Sequence, residues 1–484
     1  MNFRQLTSKS LLIIFIVILI ISVILQLAIL TPGHNWGGDF AAYIMQAMSV
    51  VNGTADAFVQ DNRFSMEQSS EAVGPVTYPW LFPLMLAPVY ALTGLNIFAL
   101  KLIGVLCYQI FLLILWFGFR HRLETAERLM LVALFAFNPF MLRFANQVLS
   151  DIPFLLFSTS ALLLIDRTVS KTREVTLRSG VLIGGFIATA MLTRSNGVLL
   201  LPVFIAAFMF RRAYIPLVFG VLTTTSLVSL IVSLLPDAQS SYVDHLSKIS
   251  FRSIVDNLHY YALLMRDFFA PTSSYRWMGS IVYCLTLPFV TIGLVYHWRD
   301  NWIFLMYVVM TLGLYVLWPY MQGLRFLFPV IPFYLYFGIL GLRCAMKRMS
   351  SARQFLHGAI VLLVFLFFTA STLHGVQNHA VEGLVEDGPF SEDASQLFAY
   401  IRQHSSPDEV LVFRKPRVMH LMTERHVLMH KNLEDFGMFD LIIIDRKNEG
   451  DQLDMQTDLS MPARLGVVLV FENAQFDVYR RSSS

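Results

Sequence analysis

The sequence predicts a polytopic α-helical membrane protein with about eleven transmembrane helices, juxtamembrane helices in its first long loop and a small C-terminal α/β domain. Three observations lead there. Charged residues make up 14% of the 484-residue chain and hydrophobic ones 56%, against roughly 25% charged in soluble domains. The apolar residues gather in runs that approach the ~30 Å hydrocarbon thickness. The positive residues cluster between those runs, where they report orientation.

Taken in order, the predicted spans are 11–30, 97–119, 128–146, 151–165, 179–193, 197–210, 213–235, 278–296, 301–317, 323–342 and 354–374. The first, Leu11 to Leu30 behind Arg4 and Lys9, resembles a signal peptide. At about 20 residues it is long enough to span, and no small-x-small site follows, so it reads as a transmembrane helix. Tyr78 to Thr93 is apolar but would reach only about 24 Å as a helix. It also carries Pro79, Pro83 and Pro88, and is placed as a juxtamembrane or re-entrant element.

Charge supports that placement. With 79–93 left out of the count, Arg120-His121-Arg122, Arg167 to Arg178, Arg211-Arg212, Arg299 and Arg343 to Arg353 all fall on the side of Arg4 and Lys9, the cytoplasmic side by the positive-inside rule. Segments 31–77 and 236–277, the turns near Asp151, Arg194 and Arg325, and the C-terminus then face outward. Within 236–277, Phe251, Ile254, Leu258, Tyr261 and Met265 form an apolar stripe expected to lie along the membrane surface.

From about Val376 the composition becomes that of a soluble domain, giving a division into 1–375 and 376–484. Ser391 caps a helix running to His404, and Glu409 to Phe413, Asp440 to Ile444, Gly466 to Phe471 and Gln475 to Tyr479 read as strands. A net charge of +3 with no basic face argues against a nucleic-acid partner. Cys107, Cys284 and Cys344 lie in or beside apolar runs and build neither a disulfide framework nor a zinc site.

The chemistry-bearing residues gather at the outward turns. Asp39, in Trp36-Gly37-Gly38-Asp39-Phe40-Ala41-Ala42-Tyr43, follows the first span and opens an amphipathic helix. It reads as a helix cap, as a catalytic carboxylate, or as both. Asp151, in Ser150-Asp151-Ile152-Pro153, marks a helix start, and a charge at that depth usually pairs or functions. Arg194 and Arg325 sit at short outward turns; each alone would snorkel to headgroups, but together with two aspartates they suit a lipid phosphate. Arg63, Lys101 and Arg276 are weaker phosphate candidates. Tyr43 and Tyr78, on the elements at 38–52 and 78–93, are assigned to the substrate cavity. His34 could join the two aspartates around a divalent cation, or simply be solvated.

The order of motifs carries a resemblance. After the first span come Gly38-Asp39-Phe40-x-x-Tyr43-x-x-x-Ala47, Thr77-Tyr78-Pro79-Trp80-Leu81-Phe82-Pro83-Leu84, Asn138-Pro139, Ser150-Asp151-Ile152-Pro153, Thr193-Arg194-Ser195-x-Gly197 and Arg325-Phe326-Leu327-Phe328-Pro329-Val330-Ile331-Pro332. Over about residues 30–335 this resembles the bacterial branch of the dolichyl-phosphate-mannose protein mannosyltransferase superfamily, which includes the lipid A aminoarabinose transferases.

The resemblance implies a C-type glycosyltransferase fold in a bacterial cytoplasmic membrane, with the C-terminal domain periplasmic. It implies transfer, with inversion, of a sugar from a polyprenyl-phosphate donor to a lipid, glycan or protein acceptor on the outer face. Asp39 matches the family's first-loop catalytic acid and Asp151 its second acid, with Arg194 and Arg325 around the donor phosphate. Phe40 stands where the eukaryotic members have Glu after Asp, which argues against protein O-mannosylation. The rival readings are a flippase or transporter of lipid-linked sugars, and a polysaccharide polymerase or ligase; no inverted repeat with broken midplane helices supports a transporter.

Overall fold

The computed structural model describes residues 8–70, 73–170, 174–236, 249–270, 275–347, 368–370, 372–374, 388–431, 439–447 and 464–482. In chain order the helices begin with α1 (Ser8–Ala28), α2 (Gly38–Asn52), α3 (Ala55–Gln68), α4 (Leu81–Thr93) and α5 (Ile97–Gly118). Then come α6 (Thr125–Ala136), α7 (Pro139–Ala145), α8 (Asp151–Val169), α9 (Leu177–Thr193), α10 (Leu200–Phe210) and α11 (Tyr214–Leu234). The last set is α12 (Phe251–Leu264), α13 (Arg276–His297), α14 (Trp302–Leu317), α15 (Ile331–Lys347), α16 (Glu392–His404) and α17 (Pro416–Thr423). Five strands, β1 (Val410–Val412), β2 (His426–Leu428), β3 (Leu441–Asp445), β4 (Val467–Glu472) and β5 (Phe476–Arg481), lie in the C-terminal region.

The chain forms two compact units. One, here the helical unit, combines Met1–Leu30, Lys101–Ile231 and Ser241–Val381; the other, the mixed unit, combines Thr31–Leu100, Val232–Ser240 and Glu382–Ser484. The first long loop and the C-terminal module therefore share a unit although the sequence separates them.

Among the described residues, α1, α5, α8, α11 and α13 are long and apolar enough to cross a membrane, and α4, α9, α10 with the turn before it (Ser195–Phe210) and α14 are shorter apolar helices. Ile13, Ile215 and Val295 are exposed by 62%, 69% and 65%. Apolar faces of this kind are stable in hydrocarbon, where helices satisfy their own backbone groups.

The stretch 128–146, expected as one span, is broken into α6 and α7, which are apolar enough to cross together but are bent by 62°. Its cause is local. The Asn138 side chain accepts from the Met141 N–H at 3.0 Å and donates to the Phe268 carbonyl at 2.8 Å. Pro139 then opens α7 with the preset φ that suits a first helical position. The predicted span 354–374 falls mostly outside the described residues. The apolar stripe along 251–265 is split: Phe251 and Leu258 on α12 are exposed, whereas Tyr261 on α12 and Met265 just past its end are buried.

Small residues let helices of this unit touch. A Cβ on Gly293 would sit 2.0 Å from the Phe337 carbonyl oxygen, and one on Gly341 would sit 1.8 Å from that of Phe289. No larger residue fits at either place unless α13 and α15 move apart, the small-residue packing common between membrane helices. Ion pairs add to the packing. Asp166 on α8, fully buried, accepts from Arg122 Nε at 3.0 Å and Nη2 at 2.5 Å, and lies 2.7 Å from His121 Nε2. Arg343 pairs with Glu127. Part of the cationic cluster at 120–122 is therefore held by a buried carboxylate.

In the mixed unit the strand order is β2-β1-β3-β5-β4. β1 runs parallel to β2 and β3, and β5 runs antiparallel to β3 and β4. All five residues of β3 are buried, as expected for a central strand covered on both faces. Ser391 caps α16 by accepting from the Ala394 N–H. The four expected strands are present as β1, β3, β4 and β5; β2 and α17 are additional.

The first loop docks on this module through specific bonds. Ser65 Oγ donates to the Val427 carbonyl at 2.8 Å, and Ser70 N–H to that of Met429 at 3.1 Å. Trp36 lies among Phe398, Phe413 and Phe476 at centroid distances of 6.2, 5.6 and 5.9 Å. Arg414 lies over Trp36 at 5.5 Å and is ion-paired with buried Asp445 at 2.7 Å.

Candidate active site

The carboxylate of Asp39 is placed by the start of α2. Gly37 occupies the N-cap position with extended backbone, and helix begins at Gly38, so Asp39 stands inside the first turn and not at the cap. There the helix dipole favours a negative charge. Tyr78, from the segment before α4, donates its hydroxyl to Asp39 Oδ1 at 2.6 Å. The backbone of Tyr78 is itself clamped by Gln46 on α2, which donates Nε2–H to the Tyr78 carbonyl at 2.9 Å and accepts the Tyr78 N–H at 3.0 Å. Tyr43, one helical turn on from Asp39, packs its ring 4.5 Å from that of Tyr78.

Behind Tyr78 stands Arg417, on α17 of the C-terminal module. Its Nη1 donates to the Tyr78 oxygen at 3.3 Å, its Nε to Asn62 Oδ1 at 3.4 Å, and its Nη2 to the Pro75 carbonyl. The guanidinium lies over Gly74, whose φ is +113° and where a Cβ would come within 2.9 Å of Nη1; only glycine combines that backbone with that proximity. Burial pushes the Tyr78 hydroxyl above its ordinary range, opposed by the Arg417 charge and reinforced by that of Asp39. The hydroxyl therefore stays protonated and remains a donor to the carboxylate.

A second constellation forms in the helical unit. Asp151 is the first residue of α8, 3% exposed, with Ser150 in the cap position. Arg194 Nη1 donates to Asp151 Oδ1 at 2.5 Å, and Arg325 Nη1 approaches Oδ2 at 3.8 Å. Phe326 carries both cations on its ring, at 4.7 Å from Arg194 and 5.1 Å from Arg325. Nearby, Asn196 donates to the Tyr315 hydroxyl at 2.6 Å, and Tyr261 accepts the Gln322 N–H at 3.0 Å. Two guanidiniums on one carboxylate bring planar, multi-donor groups together, a donor type that suits an oxyanion such as phosphate.

The remaining candidates are placed differently. Arg63 is exposed on α3, and Lys101 is buried in α5. Arg276 is paired with Asp267 through two bonds of 2.8 and 3.0 Å. His34 is buried with its ring stacked on Phe40 at 3.9 Å, and Nδ1 lies 3.1 Å from the Asn35 carbonyl. Among the described residues no group of three or more His, Cys, Asp or Glu side chains comes together as a metal site.

Comparison with known proteins decides the fold. Residues 77–235 match the family described as dolichyl-phosphate-mannose-protein mannosyltransferase. The ArnT structure from Cupriavidus metallidurans bound to undecaprenyl phosphate superposes with a TM-score of 0.61 at 12% identity, covering 99% of each chain. Its apo form gives 0.60 at 12%, covering 96% of this chain and 97% of that one. This is a C-type glycosyltransferase fold. The oligosaccharyltransferase of Archaeoglobus fulgidus gives 0.59 at 11% identity, covering 92% of this chain and 70% of that one. No curated protein matches the sequence.

On this C-type fold the chain is an integral membrane protein, and both motif aspartates lie in the first turn of a helix. Sequence reasoning did not find Arg417. It belongs to the run Phe413-Arg414-Lys415-Pro416-Arg417, whose three cations beside a helix-opening proline are the local signal. Nothing in that run points to Tyr78, 339 residues away in sequence.

Proposed function

We propose that this protein is an inverting glycosyltransferase that moves a sugar from a polyprenyl-phosphate donor to an acceptor on the outer face of the membrane. The observation that carries it is the Asp39 carboxylate, held at Oδ1 by a hydroxyl that stays protonated, on the fold of a protein crystallised with undecaprenyl phosphate. The carboxylate takes the proton of an incoming hydroxyl or amine as that nucleophile attacks the anomeric carbon. The leaving group is a phosphate monoester, so no second carboxylic acid is needed to protonate it, in contrast to a glycosidase.

Arg194 and Arg325 bind the donor phosphate and stabilise it as the glycosidic bond breaks. Asp151 keeps Arg194 oriented on the Phe326 ring. The juxtamembrane helices α2 and α4, with Tyr43 and Tyr78, contribute to the substrate cavity. The N-terminus is cytoplasmic and the C-terminal module extracytoplasmic in this reading, which rests on the positive-inside pattern.

The test is transfer by purified protein in proteoliposomes, with polyprenyl-phosphate sugars as donors. Arg325→Gln is expected to raise the donor KM about tenfold or more, since a charge-assisted contact is lost. Arg325→Lys should recover only part, because a point charge cannot reproduce the guanidinium fork. An unchanged donor KM in Arg325→Gln would remove the arginine pair from phosphate binding.

A further inference from the structure

The C-terminal module supplies neither the base nor the phosphate-binding arginines, yet one of its side chains reaches the centre of the first-loop site. Arg417 is 2% exposed, and a guanidinium is not buried to that degree without several acceptors to satisfy it. Among the described residues it has three: the Pro75 carbonyl, Asn62 Oδ1 and the Tyr78 hydroxyl. The first two account for docking of the first loop. The third is different, because that hydroxyl is itself the donor to Asp39 Oδ1.

We propose that Arg417 is a positioning residue for the Asp39 carboxylate, acting through the Tyr78 hydroxyl. The inference rests on Asp39 being the catalytic base. A cation donating to the Tyr78 oxygen withdraws electron density from its O–H bond, and chains of hydrogen bonds strengthen one another in this way. It also fixes the direction of that O–H, so the proton points to Oδ1 and the carboxylate is held in one orientation. Three supports make the arrangement rigid from three directions. Gln46 clamps the Tyr78 backbone, the Tyr43 ring packs on that of Tyr78, and Gly74 leaves room for the guanidinium. The C-terminal module thus completes the first-loop constellation around Asp39, and the docking of Trp36 among Phe398, Phe413 and Phe476 holds the first loop in register with it.

The experiment is a double-mutant cycle on the full-length protein in proteoliposomes, with kcat expressed per folded molecule and the donor KM measured alongside. Tyr78→Phe removes one oxygen and keeps the ring and the backbone clamp. It is expected to lower kcat on the order of tenfold or more, the effect of one hydrogen bond to a charged group, with donor KM nearly unchanged. Arg417→Gln should lower kcat similarly, and Arg417→Lys should restore part of it. In the Tyr78→Phe background, Arg417→Gln should cost little more, because its route to the carboxylate has already been cut.

Multiplicative losses in the double variant would overturn the proposal. So would an Arg417→Gln protein that is poorly folded but has normal kcat per folded molecule, the outcome of a purely structural anchor. Asp39→Asn, run beside them, separates the two levels. An active Asp39→Asn protein defeats the base assignment itself. An inactive one, together with Tyr78→Phe and Arg417→Gln at wild-type kcat, defeats the positioning role alone.

Discussion

Asp39→Asn is expected to lower kcat by about 10²- to 10⁴-fold, the usual contribution of a positioned general base, while the protein still folds and inserts. The substitution is nearly isosteric. An asparagine oxygen still accepts the Tyr78 hydroxyl that lies 2.6 Å from Oδ1, so the local geometry survives, but the amide cannot take a proton. Donor KM should change little, since the lost interaction belongs to the transition state. Steady-state rates with a saturating polyprenyl-phosphate sugar, together with a thermal-stability control, check both parts. A variant that loses stability in proportion to activity would assign Asp39 to packing at the start of α2.

The largest effect on stability is expected at Asp166. Its carboxylate is fully buried and holds Arg122 through two bonds, while Arg122 Nη2 also reaches the Asp300 carbonyl at 3.0 Å and Ser170 Oγ at 2.7 Å. Asp166→Ala leaves the guanidinium in place without its counter-charge. Removal of one partner from a buried pair typically costs about 3 to 5 kcal/mol, and most of that should appear here. Asp166→Asn keeps an acceptor for Arg122 and should fall between wild type and Asp166→Ala. The unfolding midpoint in detergent, read by loss of monodisperse protein on heating, orders the three. Equal midpoints for Asp166→Ala and wild type would mean that the pair contributes nothing to the fold.

What the sequence made legible followed from local pattern. Long apolar runs such as Leu11 to Leu30 and the 97–119 segment announce α1 and α5 because hydrocarbon selects composition directly. Ser391 before an apolar-periodic stretch announces α16. The pairing of Arg194 with Asp151 was accessible only as a shared topological side, and its geometry required the fold. Two features were hidden for physical reasons. Apolar composition through 128–146 is equally compatible with one straight helix or a bent pair; the deciding bond, Asn138 to the Phe268 carbonyl, joins residues 130 apart. The Arg417–Tyr78 contact joins residues farther apart still, and side chains gathered by tertiary structure leave no periodicity to read. Asp39 shows the opposite limit: the sequence offered capping and catalysis on equal terms, and a helix that starts at Gly38 removes the cap position from it.

The most direct measurement follows labelled sugar from a panel of polyprenyl-phosphate donors in sealed vesicles, wild type beside Asp39→Asn, with lipid, glycan and protein fractions separated. The expected result is label that leaves its carrier and becomes covalently attached in one fraction, only when Asp39 is present. Label that crosses the membrane still joined to its carrier, at the same rate in both proteins, would contradict a transferase and identify a flippase.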